Sequence, residues 1–169
     1  MTETKNKILD AEQIAKKINR LAYEIYENNF QETEIAMVGI ESNGAVLAQL
    51  LKEEVEKISS LKVHFATLKL HKDHPLDHPI HIGLPSDFYP NIPIIIVDDV
   101  LNSGRTMFYS FKPFLDASLK KIQVAVLVDR EHKKFPISAD YVGYSLGTTL
   151  QEFVEVNLNN PAEYAVYLL

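Results

Sequence analysis

Cysteine is absent from the 169-residue chain. That excludes disulfides, zinc–thiolate sites and thiol nucleophiles, and leaves oxygen, nitrogen and bound metal to carry any chemistry. No apolar stretch approaches the ~20 residues of a membrane helix, and the N-terminal Met-Thr-Glu-Thr-Lys-Asn-Lys opens onto no apolar signal core. A cytoplasmic protein without a membrane partner is expected. Positive charge is also short: 17 Lys and Arg stand against 23 Asp and Glu, a formal net charge of −6. No global field attracts phosphate polymers, and RNA as a partner is disfavoured. No internal repeat or low-complexity segment divides the chain. A single domain over residues 1–169 is expected, and 46% hydrophobic content suits an ordinary globular core.

What is present centres on residues 94–107, Ile-Ile-Ile-Val-Asp-Asp-Val-Leu-Asn-Ser-Gly-Arg-Thr-Met. The β-branched run Ile94 to Val97 suits a strand covered on both faces, as in a parallel sheet flanked by helices. It meets two adjacent carboxylates, Asp98 and Asp99. Asn102, Ser103 and Gly104 then form a turn of small residues, and Arg105 to Leu115 can continue as a helix. Backbone N–H groups at that helix start, with the Ser103 and Thr106 hydroxyls, make a seat for a phosphate. The carboxylates can accept from vicinal ribose hydroxyls or hold Mg²⁺ through water. The plainer reading is that the acids end a strand and Ser103 caps a helix, but a cap needs only one polar residue.

The rest of the chain alternates helical and strand patterns. Asp10 and Gln13 form a capping box, and Ile14, Ile18, Leu21, Ala22 and Ile25 make an apolar stripe that ends at Glu27-Asn-Asn. Arg20, among them, reads as a solvated or ion-paired side chain. Ile35 to Ile40 reads as a buried strand, Glu41-Ser-Asn-Gly44 as a loop, and Ala45 to about Ile58 as a helix. Leu61 to Leu70 predicts a second strand. Between His71 and Pro93 lie five Pro and four His, which cannot form a long helix. The spacing of His71, His74 and His78 invites a metal reading, but no helix places these rings on one face. Strands are predicted over Ile122–Val128, Ile137–Tyr144, Glu152–Val156 and Tyr164–Leu168. Asp129 and Arg130 follow the first of these, at the edge where open α/β sheets bind ligands; the plainer alternative is an ion pair capping the strand end.

Ile95 to Met107 resembles the phosphoribosyl pyrophosphate (PRPP) signature of the type I phosphoribosyltransferases. The resemblance implies an α/β fold: a parallel-sheet, Rossmann-like three-layer core with a small hood. It further implies that Asp98 and Asp99 bind ribose, that Asn102, Ser103, Gly104, Arg105 and Thr106 hold the 5′-phosphate, and that Ser42, Asn43 and Gly44 face pyrophosphate. The stretch after His71 corresponds to a mobile lid, with Lys72, rather than Lys69, as its cation for the departing pyrophosphate. Ala125-Val-Leu-Val-Asp-Arg130, His132, Pro136-Ile-Ser-Ala-Asp-Tyr-Val-Gly143, Ile8-Leu-Asp, Arg20 and Val38-Gly-Ile are similar to the PyrR-type pyrimidine-operon attenuators, which also carry uracil phosphoribosyltransferase activity. This closer resemblance implies a homodimer or higher oligomer, and uracil plus PRPP giving UMP and pyrophosphate with Mg²⁺. It places Asp129, Arg130 and Val154 beside the base. Three departures stand out: Asn43 replaces a family Arg, the lid is shorter, and Ser138 stands where the attenuators carry another basic residue.

Two functions compete on these residues. The first is a transferase acting on uracil or a similar base. The second is a catalytically weak regulator of pyrimidine genes that senses PRPP or a nucleotide. A phospho-acceptor receiver domain also clusters aspartates, but it places its acidic pair near the start of the chain.

Overall fold

The computed structural model describes residues 5–169. The elements run β1 (Asn6–Leu9), α1 (Ala11–Asn29), β2 (Glu34–Ile40), α2 (Asn43–Ile58), β3 (Lys62–Lys69), β4 (His81–Ile82), β5 (Pro93–Leu101), α3 (Arg105–Ser110), β6 (Lys121–Asp129), β7 (Tyr141–Ser145), β8 (Val154–Asn157) and β9 (Ala165–Leu168). Six strands form the central sheet in the order β4-β3-β2-β5-β6-β7, and β1-β9-β8 form a small separate sheet, the hood. The pairs β2–β3, β2–β5, β5–β6 and β6–β7 are parallel, and only the short β4 runs antiparallel in the core sheet.

The uninterrupted apolar strands follow from burial on both faces. Ile35, Met37, Ile95, Val97 and Leu127 pack toward α1 and α2. Ala36, Val38, Ile94, Ile96 and Val126 pack toward Met107, Phe114 and the 84–92 segment. This is the three-layer α/β architecture expected from the run at 94–97. The chain leaves β2 toward β3 but leaves β5 toward β6, so the loops after β2 and β5 diverge. That reversal opens a crevice at the carboxyl ends of the two strands, where such sheets bind ligands.

Helix α1 begins as its sequence requires: Asp10 accepts from the Gln13 N–H at 2.8 Å, and Gln13 Oε1 accepts from the Asp10 N–H at 2.9 Å. Its stripe, Ile14 to Ile25, is buried throughout. The helix ends at Asn29, with the polar run Glu27-Asn-Asn, as expected. Arg20 pairs with Glu24 at 2.7 Å and also donates to the carbonyls of Val142 and Gly143, which ties α1 to β7.

The largest departures from the expected boundaries lie at three places. Ile8 and Leu9, just ahead of the Asp10 cap, belong to a strand that pairs with β9 near the other end of the chain. The helix expected over 105–115 stops at Ser110 and gives way to a 3₁₀ turn at Lys112–Phe114, because Pro113 has no N–H to continue the ladder. The strand expected from Ile137 starts at Tyr141, since the Ile137 N–H turns back to the Phe135 carbonyl at 2.8 Å. Among the described residues no helix is long and apolar enough to cross a membrane.

Candidate active site

The site is built outward from the end of β5. Ile94 to Val97 are fully buried, and the strand carries Asp98 in with them, leaving it 4% exposed. Asp98 Oδ1 accepts from the Asp99 N–H at 2.9 Å, and Asp99 Oδ1 accepts from the Val100 N–H at 2.9 Å. Burial pushes the Asp98 carboxyl well above the ordinary carboxylate range. The neighbouring Asp99 charge adds to this, and Lys72 opposes it.

The loop that follows is held from behind. Leu101 accepts from the Arg130 N–H at 3.0 Å, and the Ser103 carbonyl accepts from the N–H groups of Lys134 and Phe135 at 2.8 and 3.0 Å. Gly104 turns the chain into α3 with φ of 85°, a conformation that costs glycine little and other residues more. Ser103 Oγ accepts from the Arg105 N–H at 3.3 Å. The Arg105 guanidinium reaches across to the Asp73 carbonyl at 3.2 Å, linking this loop to the segment after β3.

These elements enclose a cavity of about 250 Å³, lined by Lys72, Asp98, Asp99, Val100, Leu101, Asn102, Ser103, Gly104, Arg105, Thr106, Met107 and Val154. One cavity thus gathers the acidic pair, the whole small-residue loop, a lysine from the segment after β3 and a hood residue. Lys69, the alternative lid cation, instead faces Glu41 at 4.0 Å.

Ser42, Asn43, Gly44, Asp129 and Arg130 stand outside the lining. Gly44 lies so close to β5 that a Cβ there would meet the Val97 carbonyl oxygen at 2.7 Å and Asp98 Cα at 3.0 Å. Ser42 precedes α2 without capping it through its side chain. Asn43 Nδ2 donates to Asp99 Oδ2 at 3.1 Å and to the Val156 carbonyl at 2.9 Å. Arg130 is buried, with Nε donating to Thr148 Oγ1 at 2.7 Å, Nη1 to Asn102 Oδ1 at 3.3 Å and Nη2 to the Thr149 carbonyl at 3.0 Å. Its guanidinium also lies 5.9 Å from the Phe153 ring centre. Asp129 pairs with Lys133 and accepts from the Glu131 N–H at 2.9 Å. Arg130 thus ties the 102–106 loop to Thr148 and Thr149, while the Asp129 side chain holds the turn at 131–133.

Thr148, Thr149, Phe153 and the Val156 carbonyl are the parts that sequence reasoning missed. A backbone acceptor has no sequence signature, and the Arg130 partners lie about twenty residues downstream in a stretch without periodicity. In the segment after β3, the His71 ring lies 5.4 Å from that of His74 and 4.9 Å from that of His78. His71 Nδ1 accepts from the His74 N–H at 3.0 Å. Among the described residues no group of three or more His, Asp or Glu is arranged to hold a metal.

A family profile described as "Phosphoribosyl transferase domain" matches residues 4–157. A "Bifunctional protein PyrR" from Acetivibrio thermocellus is 36% identical over 161 residues, covering 91% of this chain and 88% of that protein. Another, from Clostridioides difficile, is 36% identical over 163 residues, with 91% of each chain covered. Among solved structures, a hypoxanthine-guanine phosphoribosyltransferase from Bacillus anthracis superposes with a TM-score of 0.76 at 19% identity, over 99% of both chains. The hypoxanthine phosphoribosyltransferase of Trypanosoma cruzi gives 0.78 at 14% identity, over 97% of this chain and 95% of that one. These two structural likenesses establish the fold.

Proposed function

The chain belongs to the phosphoribosyltransferase family, and on that premise we propose that it transfers the phosphoribosyl group of PRPP to uracil, giving UMP and pyrophosphate. The observation that carries the proposal is one cavity uniting Asp98 and Asp99 with the Asn102–Thr106 loop, Lys72 and Val154. In this reading the carboxylates take the ribose diol and the loop takes the 5′-phosphate. Lys72 and the backbone N–H groups at the start of α2 meet the pyrophosphate. The base lies toward Val154, and Arg130 holds Asn102 and the 148–149 segment in place around it. Uracil is favoured over purines by the residues shared with the pyrimidine-operon attenuators. Asn102 also stands where purine-specific relatives often place an Asp.

No side-chain nucleophile is needed. The ribose gains positive charge as its bond to pyrophosphate breaks, the base nitrogen bonds to that carbon from the opposite face, and the proton on this nitrogen passes to water or to the departing pyrophosphate. The acidic pair stabilises the charged sugar, and the lysine and loop amides stabilise the leaving group. The donor set fits magnesium: two hard carboxylates, Asp98 and Asp99, line the cavity, which suits an ion that keeps water and binds with substrate phosphates. Asp98 and Asp99 would hold it through water or PRPP, and it would neutralise charge on the pyrophosphate. We place the reaction in a homodimer or higher oligomer.

Asparagine in place of both Asp98 and Asp99 should remove Mg–PRPP binding, read by calorimetry, while circular dichroism shows a retained fold. Unchanged affinity would overturn the assignment. A second reading, a PRPP- or nucleotide-sensing regulator with weak catalysis, is favoured by one feature. The Asn43 amide is committed to Asp99 and Val156, so the start of α2 brings no cationic side chain to the pyrophosphate.

A further inference from the structure

Resting on the transfer reading, we infer that Asn43 is a positioning residue that fixes the Asp99 carboxylate for the ribose and ties it to hood strand β8. Three observations carry this. First, the start of α2 cannot drift from the acidic pair, because Gly44 allows helix and strand to touch backbone to backbone: a Cβ there would sit 2.7 Å from the Val97 carbonyl oxygen. Second, one amide nitrogen donates both of its hydrogens, at 3.1 Å to Asp99 Oδ2 and at 2.9 Å to the Val156 carbonyl. The acceptors decide which way the amide faces, since its oxygen would repel either of them. Third, Asp99 Oδ1 accepts from the Val100 N–H, so both carboxylate oxygens are held and the group presents one orientation to the cavity.

The hood side of the tie has a consequence for the base. Val156 and Val154 lie two residues apart on β8 and therefore share a face of that strand, and Val154 lines the cavity. A single neutral side chain thus couples the acid proposed to hold ribose to the wall proposed to meet the base. The residue type is suited to this. An arginine or lysine reaching the same acceptors would neutralise Asp99. An aspartate would present like charge to it and an acceptor to a carbonyl. Asparagine supplies two donors and leaves the charge of Asp99 unpaired by any cation from α2.

The test is a double-mutant cycle between positions 43 and 99, with calorimetric Kd for Mg–PRPP as the readout and backbone-amide exchange across β8 as a second. Asn43→Ala should weaken Mg–PRPP about tenfold, the scale of a lost hydrogen bond to a charged group. In the Asp99→Asn background the same substitution should change Kd by less than about twofold. Asn43→Asp keeps the shape of the side chain, guards against a folding defect, and should weaken binding further than Ala. Exchange at Val156 and Asn157 should quicken in both variants without any ligand. An equal loss in the two backgrounds, or no loss in either, would overturn the positioning role. If the unmodified protein bound no Mg–PRPP, the transfer reading and the ribose role would fall together. Unchanged β8 exchange would separately overturn the hood tie.

Discussion

Replacing Gly44 with alanine tests the contact on which the geometry of the site depends. The new methyl carbon would stand 2.7 Å from the Val97 carbonyl oxygen and 3.0 Å from both Asp98 Cα and Asp98 Oδ1, where ordinary contact begins near 3.4 Å. The nearest obstacles are backbone, so relief requires α2 and the end of β5 to separate by roughly 0.7 Å. Alanine is favoured over glycine in a helix by at most about 1 kcal/mol. Overpacking of this kind costs about 1–3 kcal/mol. Set against the helical gain, the clash leaves a net loss of up to about 2 kcal/mol, or a Tm lowered by up to about 8 °C for a chain of this size. A shift of that size between the acidic pair and the start of α2 should also weaken Mg–PRPP about tenfold or more, since a misplacement near 1 Å can cost up to about a hundredfold in rate. Urea unfolding and calorimetric titration read the two effects separately. Wild-type midpoint and wild-type affinity together would show that α2 is not seated on the acidic pair.

The remaining predictions concern the loop, the buried acid and its brace. Gly104→Ala places a side chain at φ of 85° and should destabilise by about 1–2 kcal/mol in urea unfolding; an unchanged midpoint would contradict the left-handed turn. Asp98 holds its proton more tightly folded than unfolded, so stability should fall as pH rises from the unfolded value near ~3.9 through the raised folded value. Unfolding midpoints at pH 5 and pH 8 should therefore differ more for the wild type than for Asp98→Asn, which should be the more stable of the two at pH 8. Equal pH dependence would contradict the burial argument. Arg130→Met removes three hydrogen bonds from a charged donor, at about 1.5–3 kcal/mol each, but also relieves a buried cation whose desolvation costs several kcal/mol. The net loss should be about 2–4 kcal/mol, with faster amide exchange over 146–153, and protection equal to wild type there would refute the brace.

Much of this arrangement was legible because it is local. The Ile14 to Ile25 stripe, the Asp10–Gln13 capping box and the apolar run into Asp98 each depend on residues within a few positions of one another. The loop at 102–106 was legible for the same reason: small residues and a glycine in register with a strand and a helix start. What escaped depends on distant partners. Strand β1 is four residues long, and only its pairing with β9 at the far end of the chain makes it a strand. Asn43 read as a departure from a basic family position. The acceptors that give it a different task, Asp99 and the Val156 carbonyl, lie 56 and 113 residues away. Arg130 read as a residue beside the base, and its buried place among Thr148, Thr149 and Asn102 becomes visible only once the 146–153 segment folds back. Pro113 was a local signal that the helix over 105–115 ends early, and the apolar pattern around it hid the break.

The most direct measurement is pyrophosphate release from PRPP and magnesium, with uracil, cytosine, hypoxanthine, guanine and adenine supplied in parallel. The account predicts release with uracil and little with the purines. Release with a purine and not with uracil would contradict the base assignment. Silence with every base, with PRPP still raising Tm, would contradict the transferase claim and leave a site that binds PRPP without transferring its sugar.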